Sequence, residues 1–278
     1  MKILILTDLE GISGVNGRSD GIGNKIINED DAKKRLVSEV NACVEGLLAG
    51  GADEIVVVDG HGPSDSICLD QLHSAADLAT IGGCPAPVCW LDDSYDAMVQ
   101  IGAHAMQGVK DGYLFHSYNS HAIVEMSLDG QVLGEIGMAG YMAAYFGVPQ
   151  ILISGDEAAC REGLEFFPGV ETVATKNSRS RYTTINYNPA KVEAQLREKS
   201  AIALRRLTEM VVTDVSGSHV MDMTVMCPNQ LETFIKLGAE PIGTASIRFQ
   251  SDDLIDLWAQ RCGWAPGVHN KYFNISGR

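Results

Sequence analysis

The sequence predicts an α/β protein, with a mostly parallel central sheet flanked by helices and a smaller C-terminal α/β lobe. Three observations predict it. A strand–helix–strand pattern fills the N-terminal fifth of the chain. Acidic and histidine residues stand directly after its two strands. Helical and strand-like stretches then keep alternating toward the C-terminus. The 278 residues allow one large unit or two lobes, about 1–165 and about 166–278.

Lys2–Thr7 is a short apolar run, read as a buried strand ending at Asp8. Residues 11–24 are rich in Gly, Ser and Asn and read as a loop. The next segment is helical. Asn28 or Asp30 can cap it, Leu36, Val40, Cys43, Val44, Leu47 and Leu48 form its apolar stripe, and Gly50-Gly51 stops it. Residues 54–58 form a second buried strand that ends at Asp59-Gly60-His61, so a parallel pair with a helical crossover is expected. Residues 78–81 and 111–115 are further candidate strands. Asp129-Gly130, between 122–127 and 131–133, is a hairpin signal, because its turn needs positive φ at both central positions. Residues 134–146 read as a helix apolar on nearly all sides, whose small residues point to tight burial. A strand at 150–154 leads to a helix start at Asp156. Residues 190–210 read as an amphipathic helix, 211–225 as strand-like and 252–261 as a late helix. The basic stretch 176–181 reads as a loop crossing near the site.

The formal net charge of −15 argues against nucleic acid, which needs a positive footprint, and against docking on anionic membranes. The seven cysteines are odd in number, irregularly spaced and without a C-x-x-C pair, so reduced thiols in a cytoplasmic protein are expected. One lysine followed by four apolar residues is too short for a signal segment, and no apolar run is long enough to span a bilayer.

Sites in open α/β sheets form at the carboxyl ends of strands. Asp8 and Glu10 follow the first strand, and Asp59 and His61 follow the second. An acid-x-acid pair beside Asp-Gly-His suits a cation site, although a carboxylate after a strand also serves as a helix cap. His104 lies among small residues in Gly102-Ala103-His104-Ala105, where a packed polar histidine is the plainer reading. His116 follows an apolar run and suits a general acid or base as well as an ordinary loop histidine. Glu135 opens an otherwise apolar helix. The helix N-terminus favours a carboxylate there, and so would a cation. No G-x-S-x-G, H-E-x-x-H or P-loop pattern is present.

Taken in order, Thr7-Asp8-Leu9-Glu10-Gly11-Ile12-Ser13-Gly14, Asp59-Gly60-His61, Gly102-Ala103-His104-Ala105, His116-Ser117 and Gly134-Glu135-Ile136-Gly137 resemble the zinc-dependent D-aminopeptidases of the DppA type, peptidase family M55. The resemblance implies two zinc ions per subunit. Asp8 would bridge them, Glu10 and His61 would complete one protein shell, and His104 and Glu135 the other. It implies a catalytic role for His116 beside the metals. It also implies a small peptide or amino-acid amide as substrate, and a ring-like homo-oligomer, a decamer of stacked pentamers around an internal chamber. Five N/O donors without a thiolate suit zinc sites that keep open positions. Another metal-dependent amidase, esterase or phosphoesterase would use the same donor set.

Overall fold

The computed structural model describes residues 1–79 and 90–263. In chain order its strands and helices are β1 (Lys2–Thr7), β2 (Gly17–Ser19), β3 (Asn24–Ile26), α1 (Glu29–Gly50), β4 (Glu54–Asp59), β5 (Ala76–Ala79), β6 (Ala97–Ala103), β7 (Ile123–Leu128), β8 (Gln131–Val132), α2 (Glu135–Tyr145) and β9 (Gln150–Asp156). They continue as α3 (Glu157–Phe166), β10 (Glu171–Ser180), β11 (Thr183–Asn186), α4 (Pro189–Arg205), β12 (His219–Val225), α5 (Pro228–Lys236), β13 (Glu240–Pro241), β14 (Ser246–Ser251) and α6 (Leu254–Arg261).

The central sheet has seven strands in the order β11-β10-β9-β6-β1-β4-β5. All its neighbours pair in parallel except β10 and β11. This is the mostly parallel, helix-flanked sheet that the sequence predicts. From β1 the chain builds outward through β4 to β5, and from β6 it builds the opposite way through β9 to β10. The order therefore reverses between β1 and β6, and a crevice opens there at the carboxyl ends of the strands. A second, antiparallel sheet runs β13-β14-β12-β7-β8. Strands from both sides of residue 165 enter both sheets.

Side-chain alternation along β1 divides the interior in two. Ile3 and Ile5 face one core with Leu36, Val40 and Val44 of α1 and Val192 and Leu196 of α4. Leu4 and Leu6 face the other, shared with α2, α6, Met221 and Met223 of β12 and Phe249 of β14. Elements of the second sheet and the central sheet thus share a core with α2, which explains why that helix is apolar on almost every side. Asp129 and Gly130 take φ of 52° and 83°, as the hairpin signal requires.

Several expectations need correction. Residues 111–115 are not a strand, because backbone groups there bond outward instead of forming a ladder: Tyr113 N donates to the Asp156 carboxylate and Leu114 N to Arg181 O. The basic stretch 176–181 is not a loop, because Lys176 lies in β10 and is fully buried. The 11–24 loop contains part of the β2–β3 hairpin. Only 219–225 of the 211–225 stretch is strand, and the helix expected to 210 ends at Arg205. The central strand β6 carries no alternation that marks it, since it is buried on both faces. Residues 80 and 81 of the candidate strand at 78–81 lie outside the described residues, and the observed strand is Ala76–Ala79.

At the crevice, Asp8 N donates to Ile101 O at 2.8 Å and Gly11 N to Gly102 O at 2.8 Å, so the segment after β1 stays laced to β6. Gly102 has φ of 80°, and a Cβ on it would lie 2.1 Å from Asp8 O. Both the conformation and the approach demand glycine. Gly102→Ala is expected to cost at least about 2 kcal/mol in chemical denaturation, and to lower activity in the surviving folded fraction.

Candidate metal centre

The crevice gathers all five residues singled out as donors. Asp8 follows β1, His61 follows β4, His104 follows β6, and Glu135 is the first residue of α2. The carboxylate of Asp8 is divided between two imidazoles. Its Oδ1 lies 3.0 Å from His61 Nδ1, and its Oδ2 lies 3.2 Å from His104 Nε2. Glu10 Oε2 is 3.1 Å from His61 Nδ1, and Glu135 Oε1 is 3.3 Å from His104 Nε2. Two triads result, Asp8–Glu10–His61 and Asp8–His104–Glu135, which share Asp8.

The backbone aims these side chains. His104 Nδ1 lies 3.0 Å from Ala105 O, so the proton sits on Nδ1 when the ring is neutral, and Nε2 presents its lone pair to the carboxylates. Asp8 Oδ1 accepts from Leu9 N at 2.8 Å, and Glu135 Oε1 accepts from Tyr118 N at 2.6 Å. Asp59 faces away, into its own loop, where it accepts from Ser66 N at 2.6 Å and shapes the turn that presents His61.

Glu10 Oε2 and His104 Nε2 are buried and make no hydrogen bond, although oppositely charged groups stand within 3.3 Å of each. Burial works against charge on Asp8, His61, His104 and Glu135, and the attraction of their neighbours overrides it. His104 and His61 hold the Asp8 carboxyl well below its ordinary range, and His104 lowers Glu135. Glu10 and Asp8 push His61 up to about 11, while Glu135 and Asp8 hold His104 well above the usual imidazole range. Three carboxylates crowd one small volume, and without an ion they retain protons on both imidazoles. A divalent cation would supply the same positive charge, so the donor set fits one.

His116 stands at the edge of this cluster. Its Nδ1 lies 2.9 Å from Leu114 O, its Nε2 lies 3.8 Å from Glu135 Oε1, and its ring stacks on His104 at 4.0 Å with an 11° interplanar angle. Burial and the His104 charge depress its pKa. A small cleft adjoins the cluster, with Asp8, His104 and Glu135 sharing its lining with Ile101, Ile136 and Ala139.

Comparison with known proteins decides the family. The family model for peptidase M55, described as D-aminopeptidase, matches residues 1–260. The chain belongs to peptidase family M55. A D-aminopeptidase of Bacillus subtilis (strain 168) is 28% identical over 263 residues, covering 93% of this chain and 94% of that protein. The solved structure of the Zn-dependent D-aminopeptidase DppA from Bacillus subtilis, described as a self-compartmentalizing protease, superposes with a TM-score of 0.86 at 26% identity, over 100% of both chains. As a member of M55, the chain is a hydrolase of the peptidase class.

Buried polar and charged groups of this M55 chain also surround the donor cluster. Lys176 is fully buried, donates to Glu10 O at 2.8 Å and lies 4.7 Å from the Tyr113 ring centre. Burial lowers its pKa to about 8 against the pull of Asp156, Glu39 and Glu10. Thr175 donates to Gly11 O, so β10 grips the Asp8–Gly11 segment twice. Glu162 accepts from Met106 N at 2.8 Å and is pushed by burial up to about 7. Asp156 caps α3 by accepting from Ala159 N, and it lies outside the donor cluster. A lysine flanked by Thr and Asn reads as surface in a sequence. The apolar run Val173–Ala174 before it is the one signal that it enters a strand. Lys176→Met fills similar volume but strips the charge from between Glu39, Asp156 and Glu10. It leaves Glu10 O without its donor and is expected to lower unfolding free energy by about 1 kcal/mol or more, measured by denaturant titration at neutral pH.

Proposed function

We propose that this chain is a two-zinc aminopeptidase that removes the N-terminal residue, of D configuration, from short peptides and amino-acid amides. One observation carries the reading: five N/O donors converge, two of them buried without hydrogen bonds, in two triads that share Asp8. Ligands on a tetrahedral zinc at about 2.0–2.1 Å stand about 3.3 Å apart, and the four donor contacts here span 3.0 to 3.3 Å. Asp8, Glu10 and His61 would hold one ion, and Asp8, His104 and Glu135 the other. When bound, the ions supply Lewis acidity toward a scissile carbonyl and lower the pKa of water. Family membership supports the peptide substrate and its stereochemistry.

His116 is better suited to proton handling than to ligation. An imidazole binds a metal close to its ring plane. Rings stacked 4.0 Å apart and nearly parallel have no common in-plane point within bonding reach, so His116 and His104 do not serve one ion together. With Nδ1 on the Leu114 carbonyl, Nε2 is the atom free to stabilise the developing oxyanion or to pass a proton to the leaving amine. The depressed pKa suits that exchange.

The described residues include no helix long and apolar enough to cross a membrane, and Cys43, Cys68, Cys160 and Cys227 are free thiols. We read these as a protein of the reducing cytoplasm. The relative described as self-compartmentalizing supports a closed assembly here too, and we propose a ring-like decamer of stacked pentamers. Light scattering at about ten times the subunit mass is the outcome that agrees with it.

Metal analysis of the purified protein should give close to two zincs per chain, and a panel of D- and L-aminoacyl amides, short peptides and phosphate esters should show turnover on the D-aminoacyl compounds. Asp8→Asn should abolish hydrolysis while the fold persists, and full activity in metal-free protein would sink the mechanism. His116→Ala should retain both ions and lose about a hundredfold or more in kcat. Zinc must also displace protons. Because the ion-free pKa of His61 is about 11 and that of His104 is also raised, both rings are protonated at neutral pH and must become neutral to bind. Zinc affinity should therefore rise with pH, and calorimetry in buffers of different ionisation enthalpy should report proton release. A pH-independent affinity would contradict this.

A further inference from the structure

His116 lies on a segment whose backbone is held in place from outside. Leu114 and Tyr118 flank it with φ of 48° and 59°, left-handed conformations that side-chain-bearing residues rarely adopt. Such residues persist only where the surroundings over-determine them. Leu114 is fixed at both ends of its peptide. Its N donates to Arg181 O at 2.8 Å, and its carbonyl accepts two bonds, from His116 Nδ1 at 2.9 Å and from Asn24 Nδ2 at 2.5 Å.

Asn24 begins β3, the second strand of the β2–β3 hairpin. Its own N donates to Ser120 Oγ at 3.1 Å, so this one residue touches the segment on both sides of His116. Tyr182 donates its hydroxyl to Asn24 Oδ1 at 3.2 Å, which fixes the amide with its NH₂ toward Leu114. The rest of the hairpin closes on the same segment. Gly17 N donates to the Tyr113 hydroxyl at 2.8 Å, and His121 Nε2 lies 2.6 Å from Asp20 Oδ2.

We propose that Asn24 is a positioning residue for His116: its side-chain amide fixes the Leu114 carbonyl that orients the imidazole, and so sets where Nε2 points. The inference rests on the reading of His116 as the catalytic group. A carbonyl has two lone pairs, and here both are engaged. If the Asn24 donor is removed, the peptide after Leu114 is held on that side by the imidazole alone. The peptide and the ring then move together, and Nε2 loses its fixed distance to the reacting atoms. Small displacements of this kind cost turnover more than binding.

Asn24→Asp tests the idea, because it keeps the shape and the acceptor for Tyr182 but removes the donor. On a D-aminoacyl amide its kcat should fall about tenfold or more, with KM and zinc content within about twofold of the parent. Asn24→Ala should behave alike and guards against an effect peculiar to the added charge. Asp20→Asn loosens the same hairpin at His121 without touching Leu114 and should turn over normally, which separates positioning from general loosening. In the His116→Ala background, Asn24→Asp should add no further loss. Normal kcat in both Asn24 variants, or a fully additive loss in the double variant, overturns the role of Asn24 alone. Full turnover in His116→Ala by itself overturns the assignment of His116, and the role of Asn24 falls with it.

Discussion

Asp8 stands where the two halves of the central sheet part company, and its two carboxylate oxygens face different imidazoles. Oδ1 meets His61 on the β4 side, and Oδ2 meets His104 on the β6 side. This follows from strand order. β1 lies between β6 of one branch and β4 of the other, so a residue at its carboxyl end can reach donors from both neighbours at once. A short side chain suffices because Asp8 N is bonded to Ile101 O and Gly102 admits the Asp8 carbonyl at close range. Shifting β1 by one residue against β6 would turn Asp8 to the opposite face and dissolve both triads.

Assembling three carboxylates in a half-buried crevice is unfavourable, and the surrounding fold compensates for it. Within the cluster, His61 and His104 supply positive charge. Behind it, the buried ammonium of Lys176 sits against Glu10 O, with Glu39 and Asp156 contributing to its charge environment. Glu39 in turn accepts from Ser13 N at 2.8 Å, so the segment after β1 is tied to α1 as well as to β10. The result is a support in which Asp8, His104 and Glu135 are each held by a backbone group, as a metal site requires if its ligands are to be arranged before the ion arrives.

Much of this was legible in the sequence because it is local or periodic. The β1–α1–β4 unit, the Asp129-Gly130 hairpin and the apolar helix at Glu135 each announce themselves through spacing or turn chemistry. The ordered motifs carrying Asp8, Glu10, His61, His104 and Glu135 gave the candidate donors. The structure then supplied what spacing cannot: β6 between β1 and β9, and the parallel stacking of His104 on His116. Strand β6 was missed because a strand buried on both faces shows no alternation, and Met98, Gln100 and Gly102 blur even its apolar run. The stretch 176–181 reads as a loop because its basic and polar residues hide the strand that carries Lys176 inward. Residues 111–115 looked like a strand because Tyr113, Leu114 and Phe115 are apolar. Two of the three are buried, but Tyr113 N bonds to Asp156 and Leu114 turns left-handed, so no ladder forms.

The contrast between His104 and His116 separates two kinds of support in the same crevice. His104 leaves the end of a central strand, is almost wholly buried and orients its ring on the carbonyl of the very next residue, so its position is fixed by the sheet. His116 takes its orientation from the carbonyl of Leu114, which is left-handed and depends on partners at Arg181 and Asn24, distant in sequence. His104 is thus fixed by the sheet, whereas the group suited to moving a proton hangs on a strained segment clasped by a small hairpin. A strained carrier costs stability, and the long-range bonds offset that cost only while all of them are made. The geometry at His116 is therefore more sensitive than the donor cluster to changes far from it in sequence, and substitutions that break the Asn24 or Arg181 contact to Leu114 act on turnover before they act on the five donors.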